Sequence, residues 1–199
     1  MYKIDSFSGD YEFLSNFYPC STMIDYKGRK FPTTEHAFQA AKCKNESDID
    51  KFLECDTPGK AKRLGRQIEL RDGWEQVKVE IMSDIVRQKF QDEQLQTMLL
   101  KTGDAYLEEG NTWHDRFWGV CDGIGQNWLG RILMQIRSEF WDLKLNDNTM
   151  LRISYLDLKQ MLDDFQDDGL SADGCSCSLH LDAEQEIKFD INNGAIKII

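Results

Sequence analysis

The sequence predicts an α+β protein, mainly α-helical, with a few short strands and a small α+β appendage at its C-terminal end. Three observations lead there. Two long stretches, 72–91 and 128–141, repeat apolar residues at helical spacing. Short alternating runs around 22–31 and 178–199, each with turn residues inside it, read as strands. The charge is uneven: residues 146–199 hold eleven acids against four bases, a net of −7, while the first 145 residues net −4. The expected organisation is therefore a main domain over 1–145 and an acidic appendage over 146–199.

The elements follow in order. Residues 1–30 read as short strands and loops, with the aromatic stretch Phe13 to Tyr18 stopped by Pro19. Thr22, Ile24 and Tyr26 alternate with polar residues, and Lys27-Gly28-Arg29 turns the chain into Lys30-Phe31. Thr33 or Thr34 offers an N-cap to a helix reaching Lys42, and Glu35 falls in its first turn, where a negative charge suits the dipole. On that helix Glu35, Phe38, Gln39 and Lys42 share one face, and Ala37, Ala40 and Ala41 the other. The small alanines predict a buried face. The polar side is either a solvated surface or one wall of a polar site.

Ser47 caps an expected helix to Glu54, with Ile49, Phe52 and Leu53 inward. Thr57-Pro58 starts another that Gly65 closes. Arg63 and Arg66 near its end either interact with the helix dipole or clamp an anion. Trp74, Val77, Ile81 and Ile85 form the core stripe of 72–91, with Phe90 near its end. Leu95, Met98 and Leu99 mark a helix at 92–101. Residues 105–111 suggest a short strand and turn, and 112–119 is rich in β-formers. Gly119, Gly123 and Gly125 precede Asn127, which caps the helix that buries Leu129, Ile132, Leu133, Ile136 and Phe140. A Gly-rich loop feeding a helix N-terminus can bind an anion. Beyond 146, an acidic helix over Leu151–Phe165 is expected, then short strands with Asn192-Asn193-Gly194 as a hairpin turn.

Composition narrows the function. The chain has 199 residues, is 41% hydrophobic and 30% charged, and carries a net charge of −11. An acidic chain is a poor general nucleic-acid binder, since backbone affinity comes from Lys and Arg, but it can bind one phosphate locally. No signal peptide is visible, and no apolar run approaches the roughly 18 residues of a membrane helix. With Cys20, Cys43, Cys55, Cys121, Cys175 and Cys177 read as reduced thiols, a cytoplasmic setting is expected. Cys175, Cys177 and His180 match no zinc pattern. The three histidines form no zincin pair and there is no nucleophile-elbow serine. Neither metal nor cofactor is expected. What remains is carboxylate and amine chemistry: Glu35, Lys42, Glu109 and Asp115 among aromatics.

Ser15-Asn16-Phe17, the run Pro32 to Lys42, Leu64-Gly65-Arg66, Trp74, Trp118-Gly119 and Asn127 to Met134 together resemble the NADAR family of YbiA-like proteins. The resemblance covers about residues 7–142 and leaves 146–199 outside. It implies a mostly helical N-glycosidase fold. It also implies ligands of the ADP-ribose type and hydrolysis of a ribose–nitrogen bond, in ADP-ribosylated guanine (free or within nucleic acid) or in a riboflavin-pathway ribosylaminopyrimidine. Such chemistry needs an oxocarbenium-like sugar stabilised, the departing nitrogen protonated and water delivered. The resemblance makes Glu35 the leading catalytic group, joined by Lys42, Glu109 and Asp115; Glu108 beside Glu109 leaves that register open by one residue. Lys42 pairs with a carboxylate, contacts phosphate or forms a Schiff base. Asn16, Phe17, His36, Gln39, Arg66, Trp118, Gly119 and Asn127 are the implied substrate contacts. Among them Arg66, Asn127 and the Gly123–Gly125 loop would hold phosphate, and Trp118 or Phe17 would stack on a base. The alternative is an ADP-ribose-binding module without turnover. A third reading is an interaction protein working through its acidic tail, whose partner the sequence does not name.

Overall fold

The computed structural model describes the backbone of residues 2–146, 151–153, 187–190 and 195–198, and the side chains of residues 2–140. Two compact units divide the chain, Met1–Phe140 and Trp141–Ile199.

The first unit mixes helices with two small sheets, as expected. Parallel strands β1 (Lys3–Ile4) and β4 (Tyr106–Leu107) pair across a hundred residues of chain. Antiparallel β2 (Ile24–Tyr26) and β3 (Arg29–Phe31) form a hairpin. Its two turn residues, Lys27 and Gly28, both have positive φ (52° and 75°), as a two-residue hairpin with strand-matched twist requires. The helices are α1 (Thr34–Ala40), α2 (Pro58–Leu64), α3 (Trp74–Lys89), α4 (Glu93–Leu100) and α5 (Trp128–Asn146).

α1 is the hub. All of its residues are buried, and it packs against α2, α3, the hairpin and a 3-10 segment at Glu46–Phe52. Thr33 caps it by accepting from the His36 N–H, and Ala37, Ala40 and Ala41 are buried as their size predicts. The helix stops at Ala40, so Lys42 lies in the turn beyond it, its N–H bonded to the Gln39 carbonyl (3.2 Å). α2 follows its sequence signals closely. Thr57 accepts from Lys60 N–H, Pro58 occupies the first turn and Gly65 closes the helix.

Other expectations are corrected. The segment after Asn45 is a 3-10 helix that buries Ile49 and Phe52 and leaves Leu53 outside, because its tighter winding aligns residues three apart. The buried stripe of α3 is Trp74, Met82, Ile85, Val86 and Lys89, rotated from the expected one; Val77 and Ile81 sit at its margin. On α4, Leu100 rather than Met98 is buried. Residues 112–119 form no strand, for a reason given below. α5 buries Leu129, Ile132, Leu133, Ile136 and Phe140. Its Arg137 donates to Thr102 Oγ1 (2.7 Å) and the Ala105 carbonyl (2.9 Å), fixing the loop that leads into β4.

The second unit contains an antiparallel sheet in the order β5 (Leu151–Ile153), β6 (Ile187–Asp190), β7 (Ala195–Ile198). β6 and β7 flank the expected Asn192-Asn193-Gly194 turn, which lies outside the described residues. Leu151–Ile153 is strand, not the start of a helix. The rest of that expected helix, and the Cys175, Cys177 and His180 cluster, also lie outside them. Among the described residues no helix is long and apolar enough to cross a membrane.

Candidate active site

The site is built on the solvent-poor side of α1. The Ser15-Asn16 loop docks on the start of this helix. The Asn16 carbonyl accepts from Glu35 N–H (3.0 Å) and Thr34 Oγ1 (2.9 Å), and Asn16 Oδ1 accepts from the same hydroxyl (3.0 Å). The loop is held from below by Lys89, whose amine donates to the Ser15 carbonyl at 2.7 Å. Burial pulls that amine down to about 8.

Glu35 projects from the first turn of α1 and is 5% exposed. One turn later Gln39 Nε2 donates to Glu35 Oε1 (2.8 Å), as residues four apart on a helix can. Desolvation raises the Glu35 pKa, against the lowering pull of the Lys62 charge, the Gln39 bond and Lys42. Glu109 faces it from beyond β4. Its neighbour Glu108 points the other way and pairs with Lys3 (2.8 Å), so side chains alternate along the extended backbone and Glu109 is the inward carboxyl. Burial pushes Glu109 up to about 7, with the Lys62 charge opposing and Asp115 reinforcing. Among the described residues, two buried side-chain atoms lack a hydrogen-bond partner, Gln39 Oε1 and Glu109 Oε2. Groups of this kind await a ligand or water.

The charge opposite these carboxyls centres on Lys62 of α2, which sequence reasoning missed. Its amine bears on Glu35, Glu109 and Lys42 alike. It also lies over the rings of Phe17 (5.4 Å) and Trp113 (5.7 Å). Lys42 sits over Phe38 (5.4 Å), its pKa lowered by burial and by the neighbouring charges of Lys62, Arg66 and Lys78, with Glu35 opposing. Among the described residues Lys42, Lys62 and Arg66 make no ion pair. A chain of aromatics backs the site. Phe38 packs against Trp74 and Trp118 (centroids 5.2 Å each), Trp118 stands edge-on to Phe117 (5.0 Å), and Lys78 Nζ lies 3.6 Å from the Phe117 centroid.

Comparison with known proteins decides the family of the chain that builds this buried carboxyl pair. The model of the NADAR domain matches residues 5–141. This chain belongs to the NADAR family. Among similar proteins, the N-glycosidase YbiA of Escherichia coli is 38% identical over 138 residues, 67% of this chain and 84% of that one. A riboflavin biosynthesis protein of Vibrio vulnificus is 44% identical over 131 residues, but this chain spans only 35% of its length. The solution structure of E. coli YbiA superposes with a TM-score of 0.64 at 36% identity, covering 74% of this chain and 88% of that one.

The remaining residues of the NADAR domain divide by what their polar atoms already do. His36 is spent. Its Nε2 faces the Cys55 carbonyl (3.0 Å) and must donate, so Nδ1 accepts from the Thr33 hydroxyl (2.8 Å), and burial keeps the ring neutral. Asn127 is spent as well. It accepts from Glu109 N–H (3.0 Å) and donates to the Leu107 carbonyl (2.8 Å) and the Tyr106 hydroxyl (3.2 Å), so it positions Glu109 instead of capping α5. Neither has a polar atom free for substrate. Asp115 Oδ1 accepts from Phe117 and Trp118 N–H (3.1 and 2.9 Å), shaping the loop. The first amides of α5 meet carbonyls of the same loop, Trp128 to Phe117 and Leu129 to Trp118. The Gly-rich loop therefore offers no free helix N-terminus to a phosphate. These bonds also explain why 112–119 is not a strand. Gly119 allows the Glu109 backbone to approach: a Cβ there would stand 2.1 Å from the Glu109 carbonyl oxygen. Trp118 is walled in by Phe38 and Phe117, whereas Phe17 and Trp113 flank Lys62 with exposed rings. Arg66 is exposed beside the cation group.

Gly65 has a specific role. A Cβ at this position would fall 1.9 Å from Gln39 Oε1 and 2.8 Å from Gln39 Cδ. Its φ of −63° suits alanine, so Gly65→Ala costs little backbone energy and instead pushes Gln39 off Glu35. A stability loss of about 1–3 kcal/mol, the scale of overpacking a buried site, with turnover down roughly 10–100-fold, is expected from paired thermal unfolding and kcat measurements.

Proposed function

We propose that this NADAR domain is a hydrolase that cleaves the N-glycosidic bond between a ribose and a nitrogenous base. The substrate would carry ADP-ribose or ribose phosphate, as in ADP-ribosylated guanine or a riboflavin-pathway ribosylaminopyrimidine. The observation that carries this reading is the buried pair Glu35 and Glu109, both with raised pKa, facing Lys42 and Lys62. Glu109, near 7 with an unpartnered Oε2, is suited to protonate the departing nitrogen. Glu35, oriented by Gln39 and with the Lys62 and Lys42 charges opposing the rise that burial causes, is suited to stabilise positive charge at the sugar and to take a proton from the attacking water. Lys42, Lys62 and Arg66, unpaired among the described residues, gather positive charge for a phosphate, although the whole chain is acidic. Phe17 and Trp113 offer stacking surfaces for the base.

The names of the relatives support the reaction class: N-glycosidase in one case, riboflavin biosynthesis in the other. The test is incubation of the full chain with ADP-ribosylated guanosine and, separately, with a ribosylaminopyrimidine phosphate, following base release by chromatography. Release from one of them supports the reading. Tight binding of both with no release would make the domain a nucleotide-binding module instead.

Lys42 acts here as a charge, since water attack on an oxocarbenium-like centre needs no amine. Lys42→Arg should retain activity within about tenfold, because guanidinium keeps the positive charge but cannot form a Schiff base. Borohydride added during turnover should leave the protein mass unchanged. An inert Lys42→Arg protein, together with a sugar-mass adduct on wild type, would make Lys42 a nucleophile.

A further inference from the structure

We propose that His114, Cys121 and Asp122 form a zinc site beside the loop that carries Asp115, with its fourth position open to water or an external ligand. The ligand atoms of the three side chains all lie within 4.8 Å of one another. Cys121 Sγ is the shared vertex, 3.6 Å from His114 Nδ1 and 3.5 Å from Asp122 Oδ2. A tetrahedral Zn²⁺ with bonds of about 2.3 Å to sulfur and about 2.0–2.2 Å to nitrogen and oxygen sets S···N and S···O edges of about 3.5–3.6 Å. Both edges already have that length, so the metal enters without moving the sulfur away from either neighbour. The bland alternative is a hydrogen-bonded cluster. In it Cys121 donates to Asp122 Oδ2 and accepts from His114 Nδ1–H, and both bonds through sulfur are weak, whereas a metal engages all three groups at once.

The ligand set chooses the ion. Thiolate, imidazole and one carboxylate suit borderline-soft Zn²⁺, whereas Mg²⁺ and Ca²⁺ take oxygen. Folding brings together ligands whose sequence spacing has no zinc signature. Asp122 and Gly123 form a tight turn with φ of 54° and 74°, closed by paired bonds between Cys121 and Ile124 (3.0 Å each). That turn fixes the buried Cys121 and the exposed Asp122 side by side. His114 arrives from the other side of the Asn111–Val120 contact, on a residue with φ of 64°. On binding, the Cys121 thiol releases its proton to solvent and His114 coordinates through Nδ1, its own proton on Nε2. The ion then ties the loop that bears Asp115 to the Cys121–Ile124 turn.

The test uses the full chain carrying Cys175→Ser and Cys177→Ser, so that those thiols do not compete. Titration with Co²⁺ is followed by the thiolate-to-cobalt charge-transfer band, and Zn²⁺ is then added to displace it. One Co²⁺ per chain, displaced by Zn²⁺, is expected. Cys121→Ser should abolish the band, and His114→Ala should weaken Zn²⁺ binding roughly 100-fold, both with unchanged circular dichroism. Absence of a band at one equivalent overturns the site, as does a band undiminished in Cys121→Ser. His114 is exposed, so His114→Ala keeps the test decisive should Cys121→Ser fail to fold; unchanged Zn²⁺ affinity in that variant overturns the site as well.

Discussion

Glu35→Gln should fold normally, bind the proposed ribosyl substrate and lose turnover by roughly 10²–10⁴-fold, the scale of a positioned acid or base. The substitution is nearly isosteric, and the surroundings can absorb it. Gln39 Oε1 has no partner among the described residues, so a small rotation of that carboxamide lets it accept from the new amide. Stability should rise at neutral pH. Burial raises the folded-state pKa of Glu35 above its unfolded value, so the native state holds the proton more tightly. Stability is then lost as pH climbs above the unfolded value, and the amide escapes that loss. Equal kcat in the two proteins, each shown to be folded, would remove Glu35 from the chemistry and with it the proposed reaction.

The helices were legible because their signals are local. Thr33 as a cap, Thr57-Pro58 as a start, Gly65 as a stop and the apolar spacing of α5 are written within a few residues of where they act. Glu35 and Gln39 were legible for the same reason, as one helix face. What was not legible depends on pairings across the chain. Lys62 reads as one more basic residue in Lys60-Ala61-Lys62-Arg63 until α2 docks on α1 and turns it toward two carboxyls. Lys89 reads as the polar end of α3, yet it is buried, because the Ser15 carbonyl waits for its amine. His36 and Asn127 misled in the opposite direction. Both belong to motifs of the family resemblance, but their hydrogen-bonding atoms serve Cys55, Thr33 and the β4 backbone. The β-rich run 112–119 forms no strand because its backbone meets the first amides of α5 instead of pairing with a strand.

Glu109→Gln should be as damaging as the change at Glu35, and its pH dependence should say why. Glu109 titrates near 7 in the folded protein against an ordinary value of 4.5. If it supplies the proton to the departing nitrogen, wild-type kcat holds below pH 7 and declines above it as the acid form disappears. An amide has no such proton to give. Glu109→Gln should therefore lose roughly 10²-fold or more at pH 6, with little further decline to pH 8. Stability should show the matching sign. Between pH 4.5 and 7 the native state keeps a proton that the unfolded chain releases, so unfolding becomes easier as pH rises through that window, by at most about 3 kcal/mol. Glu109→Gln should flatten that part of the slope, measured as urea midpoints at pH 5 and pH 8. A variant that retains the alkaline decline in kcat would show that another group donates the proton. A variant as active as wild type at pH 6 would leave Glu109 a buried bystander, and the mechanism would have to be rebuilt around Glu35 and Lys62 alone.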